Sequence, residues 1–289
     1  MRLHNRLVAL TALLALAAVA VVPDTAEARL RGPGGPHTYY LSVGTSLAVG
    51  LQPDPGGHAR RTKAGYGEQL LEDLEDAGFP GLTLVKLGCA GETSTTILSG
   101  GLCQYPQGGS QLDEAEAFLL AHPGQVALVT IDLGANDIEV CGSVAGIDQA
   151  CVAQAVASVA SNLPVVLARL RAAAGPEVPI VGMNYYNPFL AAWFVNPALA
   201  LASDAGLVAF NGLLAAIYGA FAIPVADVAG AFHASDFTPV AAAGGVPLNV
   251  LLVCQWTWMC VPDPVGPNIH ANAEGYLQIA DAFLEALTP

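Results

Sequence analysis

Basic residues are scarce in this chain. Lys and Arg number 10 of 289 residues against 24 Asp and Glu, for a formal charge of −14. No net positive field exists to displace counterions from a phosphate backbone, which argues against nucleic-acid binding. Charge of either sign makes up only 12% of the chain, while hydrophobic residues make up 54%. So apolar a composition buries a core and does not stay solvated as a disordered chain. No CxxC pair occurs among the six cysteines, which argues against a zinc site of the usual spacing.

Long apolar runs are few. Arg2, His4, Asn5 and Arg6 precede the run Leu7 to Val22, which Pro23 breaks. The run falls short of the roughly 18 residues wanted for a membrane span. Small residues at Ala26 and Ala28 complete the pattern of a secretory signal peptide over residues 1–28. Residues 29–289 are then expected to form one domain of an exported, extracellular protein. A second uncharged stretch, Leu207 to Ile223, holds Asn211, Gly212 and Gly219. It reads as a helix covered on both sides rather than an integral span.

All six cysteines follow residue 28 and fall into neighbouring pairs: Cys89 with Cys103, Cys141 with Cys151, Cys254 with Cys260. In an exported chain this grouping predicts three disulfides. Each would close a short loop, worth roughly 2–3 kcal/mol on the loop-entropy model.

Extended and helical patterns alternate along the chain. Strands are expected at Tyr39 to Val43, Leu82 to Leu87, Val126 to Leu133, Val178 to Asn184 and Pro224 to Val228. Helices are expected around Glu68 to Ala77, Asp113 to Ala121, Asp148 to Ala174 with a break at Pro164, Ala198 to Ala222, and Ala271 to Leu287. The near-continuous apolar run from Val126 is that of a strand buried on both faces. The alternation predicts an α/β fold with a five-stranded parallel sheet between two helix layers. Ligands in such sheets sit beyond the carboxyl ends of the strands.

Chemistry-bearing residues stand at those ends. Ser46 follows the first strand in Gly44-Thr45-Ser46-Leu47. Gly91 follows the second in Ala90-Gly91-Glu92-Thr93. Asn136 follows the third in Gly134-Ala135-Asn136-Asp137. His270 stands just before the last helix. Singly, each is a common residue with an ordinary structural use. Together they supply a nucleophile, a general base and oxyanion donors for acyl transfer.

These four blocks, in this order, resemble the GDSL esterases and lipases, also called SGNH hydrolases, over nearly the whole chain from Tyr39 to Leu287. The resemblance implies a flavodoxin-like sheet and hydrolysis of carboxylic esters through an acyl-enzyme on Ser46, with His270 as base. It implies an oxyanion hole built from the N–H groups of Ser46 and Gly91 and the Asn136 amide. It implies no metal or organic cofactor. The expected partner is a small-molecule or lipid ester, and the expected state is a monomer.

Two positions depart from the family pattern. Thr45 stands where the family usually has Asp. Pro267 stands where the family usually places an Asp three residues before its His. Three candidates remain to orient His270: the main-chain carbonyl of Pro267, the side chain of Asn268, or Asp263. These departures also motivate an alternative, a binding protein of the same fold with impaired catalysis. Carbohydrate deacetylation is a further alternative. Trp193, Phe194, Trp256, Trp258 and Met259 read either as an acyl-binding wall in long loops or as core packing. Arg60, Arg61 and Lys63 read as a solvated loop, and Asp137 as a turn cap.

Overall fold

The computed structural model describes residues 38–143 and 146–288. The expected signal peptide lies outside the described residues. The strands of the main sheet are β1 (Tyr39–Gly44), β2 (Thr83–Lys86), β3 (Val126–Asp132), β4 (Ile180–Met183) and β5 (Val225–Ala226). They pair in parallel in the order β2-β1-β3-β4-β5. The strand order reverses between β1 and β3. The chain goes from β1 to one side and returns to the other, and in open parallel sheets ligands bind beyond the carboxyl ends of the strands at such a point.

The main helices are α1 (Tyr66–Asp76), α2 (Gln111–Ala121), α3 (Ala135–Glu139), α4 (Gln149–Ala174), α5 (Pro197–Ala220), α6 (Leu248–Trp256) and α7 (Ala273–Leu287). Helix α7 packs on α1, while α4 packs on α2 and α5. The two groups sandwich the sheet. Every residue of β3 is buried, as its unbroken apolar run requires of a central strand covered on both faces.

Two expectations need correction. Helix α4 runs unbroken through Pro164. Proline removes the hydrogen bond to the carbonyl four residues earlier, and here that is Ala160, which is exposed. Water can take the place of the missing donor. Helix α5 is not covered on both sides. Ala200, Phe210, Leu214, Ile217 and Tyr218 face inward, while Leu201 and Val208 are half exposed. By length and composition alone, α4 and α5 would each suffice to cross a membrane. Both contribute buried faces to the core.

The three disulfides join the expected neighbours, with Cα–Cα distances of 6.1 Å for Cys89–Cys103, 5.4 Å for Cys141–Cys151 and 5.0 Å for Cys254–Cys260. The first ties the segment before Gly91 to Leu102-Cys103. The second closes the hairpin between α3 and α4. The third ties the last turn of α6 to the residues after Trp258.

Candidate active site

Ser46 lies in the turn that leaves β1 and is 6% exposed. The turn depends on Gly44. At φ 137° this residue lies in a region that L side chains rarely adopt, and an added Cβ would come within 2.3 Å of the Asp132 carbonyl oxygen. Thr45 is anchored by its neighbour strand. Its N–H and its hydroxyl both donate to Asp132 Oδ1, at 2.8 and 2.5 Å. The Tyr66 hydroxyl donates to Asp132 Oδ2 at 2.9 Å. The carboxylate absent at position 45 is thus present under the same turn, carried by β3. Burial pushes the Asp132 carboxyl up to about 7, against the pull of the Thr45 and Tyr66 donors.

Gly91 follows β2 in an exposed loop at φ 81°. A Cβ there would meet only Leu102 Cδ2, at 3.7 Å, so conformation rather than crowding favours glycine. Asn136 lies in the first turn of α3. Its Nδ2 donates to the Glu92 carbonyl at 2.8 Å, which leaves its second amide proton uncommitted. Asp137 caps a turn in the segment after Gly91. It accepts the N–H and the hydroxyl of Ser94 at 2.8 and 2.6 Å. Two adjacent side chains of α3 therefore fasten it to the segment after Gly91.

His270 is carried by the short strand Asn268–Ala271, which pairs with Thr257–Trp258. That strand packs beside Leu51–Pro53, and the Leu51 N–H donates to the Ser46 carbonyl at 3.0 Å. The His270 segment thus lies against the chain that leaves the Ser46 turn. Asn268 Oδ1 accepts the His270 N–H at 3.0 Å and sits 2.7 Å from its Nδ1. Among the described residues, neither Asp263 nor the Pro267 carbonyl makes a hydrogen bond to His270, and no hydrogen bond joins Ser46 Oγ to His270 Nε2. Burial lowers the His270 imidazole to about 4.

The other residues singled out from sequence fall into place as follows. Trp256 ends helix α6 rather than lining a loop, and it packs edge-on against Phe232. Trp193 sits in the 3₁₀ helix Pro188–Phe194 and packs on Phe237. Both are packing residues, as is Met259. Phe194 is 57% exposed. Arg60 pairs with Asp54 in the hairpin of Leu51–Pro53 and Ala59–Arg61. Arg61 reaches the Gly88 carbonyl at 3.5 Å. Beyond these, Asp227 caps the turn after β5 and accepts from Asn184.

Sequence reading overlooked Gln111 and Glu92. Both are buried, and both bond to the segments that carry the expected site residues. The only available signal was a charged residue immediately after Gly91.

Solved structures resemble this fold. An extracellular lipase from Streptomyces rimosus is 20% identical, with a TM-score of 0.54 over 84% of this chain and 98% of its own. Phospholipase A1 from Streptomyces albidoflavus is 19% identical, with a TM-score of 0.53 over 85% of this chain and 98% of its own. An acetylxylan esterase from Geobacillus stearothermophilus is 15% identical, with a TM-score of 0.51 over 88% and 95%. No curated protein matches the chain in sequence. The model of the GDSL-like lipase/acylhydrolase family matches residues 42–277, which include Ser46, Gly91, Asn136 and His270; the chain belongs to that family and is a carboxylic ester hydrolase of the GDSL type.

Proposed function

We propose that the chain is a secreted serine hydrolase that cleaves acyl esters through an acyl-enzyme on Ser46. His270 takes the Ser46 proton as the hydroxyl attacks the ester carbonyl. The N–H groups of Ser46 and Gly91 and the free amide proton of Asn136 receive the oxyanion. His270, now protonated, donates to the leaving alcohol. Water repeats the attack on the acyl-serine and frees the acid. Asn268 Oδ1 holds the proton on Nδ1, so that Nε2 is the basic nitrogen. A neutral acceptor fixes the tautomer but stabilises the imidazolium less than a carboxylate does.

One observation carries this reading. Ser46, Gly91 and Asn136 lie beyond the carboxyl ends of three adjacent strands at the point where strand order reverses, and the His270 strand packs on the chain leaving Ser46. The apolar character of the acyl group is supported by Leu102 beside Gly91 and by Val140 just after α3, which are 48% and 78% exposed. Export is supported by the signal-like start and by three disulfides, which persist in oxidising compartments. No metal or organic cofactor enters any step, and the catalytic groups come from one chain acting as a monomer.

The experiment is turnover of p-nitrophenyl esters from acetate to palmitate by the protein and by Ser46→Ala. The expected result is hydrolysis by the first and loss of at least about 10⁴-fold in the second. Equal rates would remove Ser46 as the nucleophile and sink the acyl-enzyme reading. The chain-length optimum then separates a lipase from a short-chain deacetylase.

A further inference from the structure

Gln111 is the first residue of α2, yet it takes no part in capping that helix. Ser110 and Asp113 form a complete capping box without it. The side chain turns inward instead and is fully buried. Its amide grips both polar groups of one residue: the Gly44 N–H donates to Oε1 at 2.6 Å, and Nε2 donates to the Gly44 carbonyl at 2.9 Å. The second Nε2 proton goes to Glu92 Oε2 at 2.8 Å. Every hydrogen of the amide is used, and its orientation is fixed.

The two ends of this bridge are the two places the oxyanion donors hang from. Gly44 is two residues before Ser46. Glu92 directly follows Gly91, and its carbonyl holds Asn136 Nδ2 at 2.8 Å. Glu92 is 1% exposed, and its Oε1 is sealed without a partner. A carboxyl group so costly to bury has no packing advantage over an apolar side chain.

We propose that Gln111, acting with Glu92, is a positioning residue for ester hydrolysis: it sets the distance between the Ser46 turn and the Gly91 and Asn136 donors. The proposal rests on the serine-hydrolase reading above. Donors must sit about 3 Å from the developing oxyanion, and a displacement of about 1 Å costs on the order of 10²-fold in rate. Gln111 touches no substrate. Its effect passes through the backbone at Gly44 and Glu92.

The test compares the unaltered protein with Ser46→Ala, Gln111→Met and Gln111→Glu on p-nitrophenyl butyrate. Gln111→Met keeps the volume and removes all three hydrogen bonds. It is expected to lower kcat about 10- to 100-fold while KM stays within about 3-fold. Gln111→Glu donates only when protonated, and the titratable groups bonded to or beside it are Glu92 and Tyr105. Its kcat, relative to the unaltered protein, is expected to rise as pH falls from 8 to 5. A role in packing alone would show no such recovery. Full kcat in Gln111→Met, a loss confined to KM, or the same loss at every pH in Gln111→Glu overturns the proposal. If Gln111→Met does not fold, the pH profile of Gln111→Glu decides. If Ser46→Ala is as fast as the unaltered protein, the Ser46 acyl-enzyme reading falls and the proposal with it. If Ser46→Ala is inactive and Gln111→Met is not impaired, only the positioning role falls.

Discussion

The two halves of the site are held in different ways. The segments carrying Ser46, Gly91 and Asn136 leave three strands that are neighbours in one sheet, and long-range side-chain bonds cross-link them: Thr45 to Asp132, Gln111 to Gly44 and Glu92, Asn136 to the Glu92 carbonyl, Asp137 to Ser94. His270 has a mainly local support. Asn268 lies two residues away, the Cys254–Cys260 disulfide ties the partner segment, and Tyr186 donates to the Ile269 carbonyl at 2.7 Å. The comparison fits the proposed roles: oxyanion donors need mutual distances fixed across separate strand ends, whereas a base needs one ring held in one orientation. The first calls for a network and the second for a single acceptor.

The largest expected effect breaks the base side. His270→Ala should lose about 10⁴- to 10⁶-fold in kcat with an unchanged melting temperature, and a loss under 10-fold would remove His270 from the chemistry. Next comes the donor side. Asn136→Ala should cost about 10²- to 10³-fold in kcat. Because the same side chain also fastens α3 to Glu92, it should also lower the free energy of unfolding by about 1 kcal/mol, measured by urea titration. Asn268→Ala should be milder, roughly 10-fold in kcat, and Asp263→Asn should leave the rate unchanged. A rate drop of several thousandfold with Asp263→Asn would show that a carboxylate orients His270 after all.

pH sharpens the same contrast, because the two halves titrate in opposite senses. His270 is lowered to about 4 by burial, so the neutral base persists well below pH 6.5, and the acid limb of kcat/KM should lie near pH 4. An acid limb near 6.5 would contradict that. Its contribution to stability is complete above about pH 6.5 and is lost as pH falls through 4. Asp132 is raised to about 7 by burial. Its contribution is complete below about pH 4 and is lost as pH rises through 7, with a slope of at most about 1.4 kcal/mol per pH unit. Asp132→Asn should therefore flatten the fall in stability between pH 4 and 7. Equal slopes with and without the substitution would show that the group stays ionised under its Thr45 and Tyr66 donors. The smallest loss of activity concerns Cys254–Cys260. Replacing both cysteines by Ala should reduce activity several-fold before it reduces the melting temperature by more than a few degrees, as read by ester assay and thermal scan.

Much of this architecture is legible in the sequence. Local pattern placed the strands because a doubly covered parallel strand must be apolar throughout, as β3 is. Neighbouring cysteines predicted their own partners because short loops bring their Cα atoms within disulfide reach. The four blocks stood out because each one follows a strand or precedes the last helix. The break at Pro164 was misplaced because proline costs a helix only the bond to one earlier carbonyl, and whether that carbonyl is exposed is a property of packing. Helix α5 was expected to be covered twice because its composition is apolar, and composition does not say which neighbours arrive.

The sequence by itself determined the fold class, the order of the four blocks and the pairing of the cysteines, since each follows from residues close in the chain. Tertiary structure alone decided that Asp132 provides the carboxylate under Thr45 and that Gln111 spans from Gly44 to Glu92. The physical reason is separation. Gly44 and Gln111 lie 67 residues apart and Thr45 and Asp132 lie 87 apart, and only the strand order brings such partners within hydrogen-bond reach.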